Sequence, residues 1–155
     1  MKKIPLSQGQ FSLVDDEDFD ILSKFKWYYS KGRNTNYAIA ANNRKLIRMH
    51  RLIMNPKKGF VIDHINGDGL DNRRENLRIC SYSHNSMNSA LKKGNKSGIK
   101  GVFWSKYMKK WCAQITINYK GKHLGYFSNI CDAEQARKSA EKIYFGEYSR
   151  DTSYV

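Results

Sequence analysis

An aspartate and a histidine stand side by side near the end of a short apolar run that begins at Phe60. Asp63 offers a hard oxygen ligand of the kind that suits Mg²⁺, and His64 titrates near neutral pH and can act as a general base. Hydrolysis of a phosphodiester needs a cation to stabilise charge on the phosphate and the leaving oxygen, and a base to activate water. Asn85, further along, could give the ion a second oxygen.

These residues sit on elements that the sequence predicts in a fixed order. The pattern predicts a strand at 60–65, a loop at 66–76, a strand at 77–80, and a helix that begins after Ser81 or Ser83 and reaches about Leu91. The loop is long for a hairpin, which favours a shaped element with a function. Asn76 could stabilise the loop by bonding its backbone groups.

Other metal sites fit poorly. A calcium loop starting at Asp63 would need Asp or Asn where Ile65 and Gly67 stand, and glycine where Asp68 stands. The three cysteines are far apart with no C-x-x-C pair, so no zinc site is expected. We expect reduced thiols in an intracellular protein instead. An H-E-x-x-H metalloprotease motif is missing.

The charge favours a polyanionic partner. The 155 residues carry 28 Lys and Arg against 14 Asp and Glu, a formal net charge of +14. Basic and acidic residues number 12 and 5 in 1–62, 3 and 4 in 63–90, and 13 and 5 in 91–155. A nearly neutral centre between two basic flanks indicates a cation site between phosphate-binding surfaces. No apolar run approaches a membrane span and no basic amphipathic helix stands out, so no membrane partner is expected.

The flanks predict small mixed elements. The N-terminal flank predicts a strand at 10–14, a helix carrying Phe19, Leu22 and Phe25, and strands at 26–29, 36–40 and 46–50. The C-terminal flank predicts strands at 101–105, 110–117 and 122–127, a turn at 118–121 and an Ala-rich helix at 132–144. The basic, small-residue segment 92–98 between the centre and this flank predicts a flexible linker.

The central run resembles the HNH endonuclease family. The likeness covers about residues 46–90 and is carried by Met49-His50-Arg51-Leu52-Ile53, by Asp63-His64-Ile65-Asn66-Gly67-Asp68, by the run from Leu70 to Arg78, and by Asn85. The resemblance is strongest for the phage and intron-associated homing members of the family. The resemblance implies a ββα-metal fold that cuts DNA with one divalent ion, Mg²⁺ or Mn²⁺. It implies Asp63 and Asn85 as ligands, His64 as base and Asn76 as the residue that holds the loop. His84 is a rival ligand one register away, and His50 either packs or contacts phosphate.

The C-terminal flank, over about 97–150, resembles the AP2 DNA-binding domain. The likeness is carried by Ser97-Gly98-Ile99-Lys100-Gly101-Val102, Lys110-Trp111-Cys112-Ala113-Gln114-Ile115, His123-Leu124-Gly125-Tyr126-Phe127 and Asp132-Ala133-Glu134-Gln135-Ala136. It implies a three-stranded antiparallel sheet packed on one helix, with the other sheet face in the major groove of double-stranded DNA.

Alternation along the strands then sorts the side chains of this flank. Ile115 and Ile117 should face the helix, while Gln114 and Thr116 face DNA, where Gln114 could bond adenine. The other expected DNA contacts are Ser105, whose face also carries Phe103, and the lysines Lys100, Lys110 and Lys122.

Three arginines in and just after the loop have two interpretations. Arg73, Arg74 and Arg78 either clamp phosphate near the scissile bond or balance nearby acids such as Asp71 and Glu75.

The whole pattern predicts an α+β chain with four parts. These are an N-terminal α+β segment at 1–45, the nuclease unit at 46–91, the linker at 92–98 and the AP2-like domain at 99–150. The predicted function is site-specific DNA cleavage of the homing type inside a bacterial or phage-infected cell. The alternatives are a catalytically silent, sequence-specific DNA-binding regulator and a structural nucleic-acid-binding protein. The oligomeric state stays open.

Overall fold

A computed structural model describes residues 1–32, 35–42, 45–91 and 93–149. The chain divides into two compact units, Met1–Asn88 and a second unit that begins at Ser89. Both units combine small antiparallel sheets with few helices, so the chain is of the mixed α+β class.

The first unit contains three small sheets and three helices among its described residues. Its strands are β1 Lys2–Pro5, β2 Phe11–Val14, β3 Trp27–Lys31, β4 Asn36–Asn42, β5 Lys45–Arg48, β6 Val61–His64 and β7 Leu77–Cys80, paired as β1-β2, β3-β4-β5 and β6-β7. Its helices are α1 Asp16–Leu22, α2 Met49–Met54 and α3 Tyr82–Met87, and 3₁₀ turns lie at Ser7–Gly9 and Arg74–Asn76. Its main core gathers Ile4, Leu6, Val14, Leu22, Trp27, Ala38, Ala40 and Met49.

Strands β5 and β1 of this unit differ from the sequence prediction. The strand predicted at 46–50 ends at Arg48, and Met49 and His50 begin α2. Met49, Leu52 and Ile53 have helical spacing and pack on the main core, so burial of that face decides the local structure. Strand β1 was not predicted, and it exists because its residues pair with β2 from Lys2 opposite Val14 to Pro5 opposite Phe11.

The central elements form a strand, loop, strand and helix. Strands β6 and β7 are antiparallel, with Asp63 opposite Arg78 and His64 opposite Leu77. The Ser81 hydroxyl caps α3 by accepting a hydrogen bond from the His84 N–H. The helix ends at Met87, shorter than predicted, and the amide of the following Asn88 bonds the end of β6.

The second unit is one antiparallel sheet with a helix packed against it. Its strands are β8 Val102–Ser105, β9 Lys110–Ile117 and β10 Lys120–Phe127, in the order β10-β9-β8, followed by α4 Ile130–Tyr144 and a 3₁₀ turn at Gly146–Tyr148. Helix α4 starts two residues earlier than predicted, because Asn129 caps it through the Asp132 N–H. Lys120 and Gly121 belong to β10 rather than to the turn, which consists of Asn118 and Tyr119 alone, both at positive φ.

The segment predicted as a flexible linker contains a hydrogen-bonded turn. The Asn95 carboxamide oxygen accepts from the backbone N–H groups of Ser97 and Gly98 at 2.9 Å each. The Ser97 hydroxyl bonds the Val102 carbonyl at 2.6 Å. These residues therefore form part of the second unit, which begins at Ser89; Lys92 lies outside the described residues.

Candidate active site

Asp63 and His64 lie buried at the end of β6, each about 5% exposed. Strand alternation sends adjacent side chains to opposite faces, and both faces of β6 are covered here. The Asp63 side chain meets Arg78 and Asn88, whereas the His64 ring meets Asn72 and His50. The pair is thus held by different partners on its two sides.

The Asp63 carboxylate has two kinds of partner. The Arg78 guanidinium, opposite it on β7, donates to Oδ2 from Nε at 2.8 Å and from Nη2 at 2.6 Å. The Asn88 amide nitrogen donates to Oδ1 at 2.9 Å and to Oδ2 at 3.1 Å. The carboxylate keeps acceptor capacity beyond these bonds, since an ionised carboxylate offers about four lone-pair sites.

Asn88 joins α3 to the end of β6. Besides Asp63, its amide nitrogen lies 2.8 Å from the His64 carbonyl and 3.2 Å from the Ile65 carbonyl. Four acceptors surround this nitrogen, which fixes which end of the amide is nitrogen. The Asn88 Oδ1 is buried without a hydrogen-bond partner among the described residues, and a buried acceptor left unbonded is costly.

The long loop is held by its own amide and carboxylate side chains. Asn76 accepts from the Asn66 N–H at 2.9 Å and donates to the Asp71 carbonyl at 2.8 Å, so it bonds two backbone groups of the loop. Asn66 also donates to the Asp71 carboxylate at 3.0 Å. Gly69 packs so closely on strand β4 that a β-carbon there would collide with the Asn36 carbonyl. The loop therefore has one defined shape.

Strand β2 lies beside the same loop. The Leu13 N–H donates to the Leu70 carbonyl at 2.9 Å, and the Asn72 N–H donates to the Leu13 carbonyl at 2.8 Å. The Ser12 hydroxyl adds a bond to the Leu70 carbonyl at 2.8 Å. The N-terminal segment, whose role the sequence left open, thus shapes the loop from outside it.

His64 sits among neutral and aromatic groups. Its Nε2 lies 3.3 Å from the Asn72 Oδ1, and its ring meets the His50 ring edge to face at a centroid distance of 5.0 Å. Burial lowers the pKa of His64, an effect that the Asn72 bond and the Asp63 carboxylate partly offset. The ring is therefore neutral at neutral pH, which is the state a general base requires.

His50 is a packed residue of helix α2. It is 5% exposed and lies 5.5 Å from the Tyr37 ring, centroid to centroid. Burial, with smaller contributions from His64 and the nearby arginines, lowers the pKa of His50 to about 3. The structure thus places His50 against His64 as a neutral neighbour.

The three arginines expected near phosphate all make ion pairs within the chain. Arg73 grips Asp71 through Nε at 2.8 Å and Nη2 at 2.7 Å. Arg74 reaches Asp18 of α1 through Nε at 2.8 Å and Nη2 at 2.7 Å. Arg78 holds Asp63. The structure therefore favours the acid-balancing interpretation, and a role in clamping phosphate stays a prediction.

Helix α3 carries the second ligand that the sequence predicted. Asn85 is half-buried one turn before Asn88, and residues three apart share a helix face. The neighbouring His84 is also half-buried on this helix. No three His, Cys, Asp or Glu side chains cluster as an ion site among the described residues, so an ion beside Asp63 would need amide oxygens. A carboxylate, an amide on α3 and the bare Asn88 oxygen suit a hard divalent ion.

Sequence reasoning missed Asn72, Asn88 and Ser12. Asn88 could have been found by its position three residues after Asn85 on the same helix face. No local pattern marks Asn72 or Ser12, because their contacts join parts of the chain 58 and 60 residues apart.

In the second unit, strand pairing sorts the expected DNA contacts. The face of the sheet opposite α4, here called the outward face, carries Phe103, Ser105, Lys110, Cys112, Gln114, Thr116, His123 and Tyr126, which follows from their pairing across the strands. The buried Val102, Ala113 and Ala133 form the core on the other face. Gln114 and Thr116 are exposed and Ser105 is half-buried.

Two of the expected lysine contacts lie elsewhere. Lys122 pairs opposite Ile115 and donates to the Tyr144 hydroxyl of α4, so it lies on the helix side of the sheet. Lys100 precedes β8 and bonds the Ser89 carbonyl at 3.0 Å. A β-bulge between His123 and Gly125 brings His123 onto the same face as Tyr126, with ring centroids 4.6 Å apart.

Comparison with known proteins identifies a matching family and several relatives. The family model described as HNH endonuclease matches residues 49–87, which include Asp63, His64, Asn76 and Asn85. The uncharacterized HNH endonuclease L560 of Acanthamoeba polyphaga mimivirus is 30% identical over 152 residues, covering 92% of this chain and 74% of that protein. The chain belongs to the HNH endonuclease family.

Two further relatives match shorter parts. Protein 3.8 of Escherichia phage T7 is 41% identical over 63 residues, 41% of this chain and 52% of that protein. The uncharacterized HNH endonuclease L245 of the same mimivirus is 31% identical over 113 residues, 70% of this chain and 29% of that protein. The chain thus spans about half of the T7 protein and less of L245. No solved structure gives a significant match.

Proposed function

We propose that the chain is a site-specific DNA endonuclease of the homing type, which hydrolyses a phosphodiester with one divalent ion and a histidine base. The observation that carries the proposal is the buried Asp63-His64 pair at the end of β6. The Asn88 amide, just after α3, bonds both the Asp63 carboxylate and the His64 carbonyl. The pair lies within the residues that match the HNH endonuclease model, which supports it as the reaction centre.

The roles follow from the chemistry of each side chain. His64, neutral in its buried site, takes the proton from the attacking water. Asp63 and Asn85 would hold Mg²⁺ or Mn²⁺, which when bound stabilises charge on the phosphate and the leaving 3′ oxygen. Asn76 keeps the loop in shape through its two backbone bonds. The products carry a 5′-phosphate and a 3′-hydroxyl.

The second unit supplies affinity and register, as its resemblance to the AP2 domain implies. No Asp or Glu occurs in the sequence from residue 76 to 131, so the strands carry no charge that repels phosphate. The outward face presents Gln114, a side chain suited to adenine, with Lys110 at one end of the strand. A sheet of this size enters the major groove of double-stranded DNA.

The place of action follows from the partner and the relatives. Relatives occur in phage T7 and in mimivirus, which indicates cleavage of DNA inside an infected cell. No helix of the described residues is long and apolar enough to cross a membrane.

One observation favours a second candidate, a DNA-binding regulator that does not cut. Asp63 is paired with Arg78 through two short bonds, and a cation must compete with or share that carboxylate. If the pair persists with an ion present, Asp63 cannot serve as a full ligand and the chain binds DNA without hydrolysis.

The test is cleavage of a supercoiled plasmid that carries DNA flanking the gene, over a range of Mg²⁺ concentrations. The native chain should nick or linearise the plasmid with Mg²⁺ and not with a chelator. Asn85→Ala should raise the Mg²⁺ concentration needed for cleavage, whereas the matched variant His84→Ala should leave it unchanged. A dependence that shifts only in His84→Ala would make His84 the ligand. Binding without cleavage at any Mg²⁺ concentration would favour the regulator.

A further inference from the structure

A chain of buried hydrogen bonds runs from strand β2 to the proposed base. The Ser12 hydroxyl donates to the Leu70 carbonyl at 2.8 Å, and the Asn72 amide nitrogen donates to the Ser12 oxygen at 2.7 Å. The Asn72 Oδ1 then lies 3.3 Å from the His64 Nε2. Ser12 and Asn72 are fully buried, so water does not compete for these groups.

The contacts along this chain of bonds agree on one direction. A carbonyl only accepts, so the bond to Leu70 uses the one proton of the Ser12 hydroxyl. Its oxygen can then only accept from Asn72, which requires the amide nitrogen there. A weaker contact of the same nitrogen with the Gly69 carbonyl at 3.4 Å agrees with that orientation. The amide oxygen therefore faces His64, and a bond between them needs the proton on Nε2.

We propose that Ser12 and Asn72 are positioning residues that fix the tautomer of His64. Nε2 carries the proton and Nδ1 keeps the lone pair that takes the proton from water. The inference rests on the proposed function in one respect, that His64 is the base. It also gives the N-terminal segment a role in the chemistry, because β2 selects the reactive nitrogen of a histidine 52 residues further along the chain.

The backbone around this chain of bonds keeps its members in place. Leu13 lies next to Ser12. Its N–H donates to the Leu70 carbonyl, and its carbonyl accepts from the Asn72 N–H. On the other side of the imidazole, the His50 ring packs edge to face and restricts its rotation. Ser12, Asn72 and His64 therefore stay in register without help from bound DNA.

The experiment reads the tautomer directly in the full chain. Histidine is labelled with ¹⁵N, and the His64 ring signals are assigned by their loss in His64→Ala. Long-range proton–nitrogen correlation at about pH 7.5, above the ordinary histidine pKa, shows which ring nitrogen carries the proton. The expected result is protonated Nε2 in the native chain without DNA. The tautomer is measured without any cleavage, so a failure of this inference can be told apart from a failure of the proposed function.

Two variants break the chain of bonds at different links. Asn72→Leu keeps the branched shape of the side chain without the amide, and Ser12→Ala removes the group that orients the amide; both should give a mixture of tautomers. Asn66→Ala, in the same loop but bonded to Asp71 and Asn76 rather than to His64, is the matched control and should keep the native tautomer. In cleavage assays Asn72→Leu should lower kcat by about 10- to 100-fold with little change in KM, as loss of a histidine's orienting partner does.

The measurement on the native chain decides the matter even if a variant fails to fold. Protonated Nδ1 in native His64 would overturn the proposal. So would an unchanged Nε2 tautomer in folded Asn72→Leu and Ser12→Ala, because the proton would then be placed by something else.

Discussion

The arginines near the candidate active site and the lysines of the second unit's sheet have different surroundings. Around the candidate active site, Arg73, Arg74 and Arg78 each grip a carboxylate of their own unit. In the second unit, the segment from 89 to 131 has nine lysines and no acidic residue, and the acids that follow begin at Asp132 of α4. The three arginines near Asp63 are therefore paired within the fold, whereas the lysines of segment 89–131 have no acidic residue close to them in sequence.

This difference teaches that net charge alone does not locate a nucleic-acid surface. The arginines of the loop looked like phosphate contacts because they lie close to the Asp63-His64 pair in sequence. In the structure they pair with carboxylates of their own unit, and a role in clamping phosphate stays a prediction. Among the described residues, the lysines on the strands of the second unit make no ion pair with a carboxylate.

The largest effect should come from breaking the ion pair beneath the site. Arg78→Ala leaves the buried Asp63 carboxylate with only Asn88 as a partner, and loss of one member of a buried pair costs about 3 kcal/mol or more. Hydrogen exchange followed by mass spectrometry should show faster exchange in peptides of β6 and β7, and no change in peptides of β9 and β10.

The matched change in the second unit is Lys110→Ala, an exposed lysine at the start of β9. It should leave exchange unchanged in both units. Equal protection of β6 in native and Arg78→Ala chains would mean that the pair contributes nothing to the folded state, and the contrast between the units would be lost.

A smaller effect should follow from removing lysines at the β8–β9 turn. Lys106 and Lys110 are exposed, and if each contacts phosphate, their replacement by Ala should lower the slope of log affinity against log salt by about 1.8. Extrapolated to physiological salt, this corresponds to a loss of about thirtyfold in DNA affinity. Filter binding in a chelator at several salt concentrations measures it without cleavage.

Arg73→Ala and Arg74→Ala together provide the comparison. These arginines form ion pairs with Asp71 and Asp18. The double variant should therefore leave the slope of log affinity against log salt near the native value. A slope that falls in the arginine variant and not in the lysine variant would reverse the assignment and restore the phosphate-clamp interpretation.

The smallest of these effects is the loss of stability of the first unit as the pH falls. The folded pKa of His50 is about 3 and its unfolded value is near 6.5, so the unfolded state binds more protons between these limits. Stability is therefore fully present above about pH 6.5 and falls as the pH drops, by roughly 1 kcal/mol for the first pH unit below it. Urea unfolding of the native and His50→Gln chains should show a weaker pH dependence in the variant. The same pH dependence in both would exclude His50 as its source.

Much of the strand and helix order could be predicted, because it depends on local patterns. Alternation along 110–117 gives β9 over the same residues that the structure shows. The apolar run into Asp63 likewise gives β6, and Asn76 could be expected to bond the loop from its residue type. Helix α2 could not be predicted from a short apolar run, because tertiary burial of Met49 decides between strand and helix.

The Asp63-His64 pair could be found in the sequence as a candidate site, because the two residues are adjacent and of types that suit metal-assisted hydrolysis. Asn88 could be suspected from its position three residues after Asn85. Asn72 and Ser12, which also support the pair, come from separate segments and are ordinary polar residues in their own neighbourhoods. Such contacts depend on which segments the fold brings together, and one sequence does not encode that as a local pattern.

The most direct test of the account is cleavage of a supercoiled plasmid carrying the flanking DNA, with Mg²⁺, by the native chain and by His64→Ala. The account predicts nicked or linear product from the native chain alone, with both proteins binding the plasmid equally in a chelator. Cleavage by His64→Ala at the native rate would contradict the assignment of the base. Binding by both proteins with cleavage by neither would contradict the nuclease function for that target.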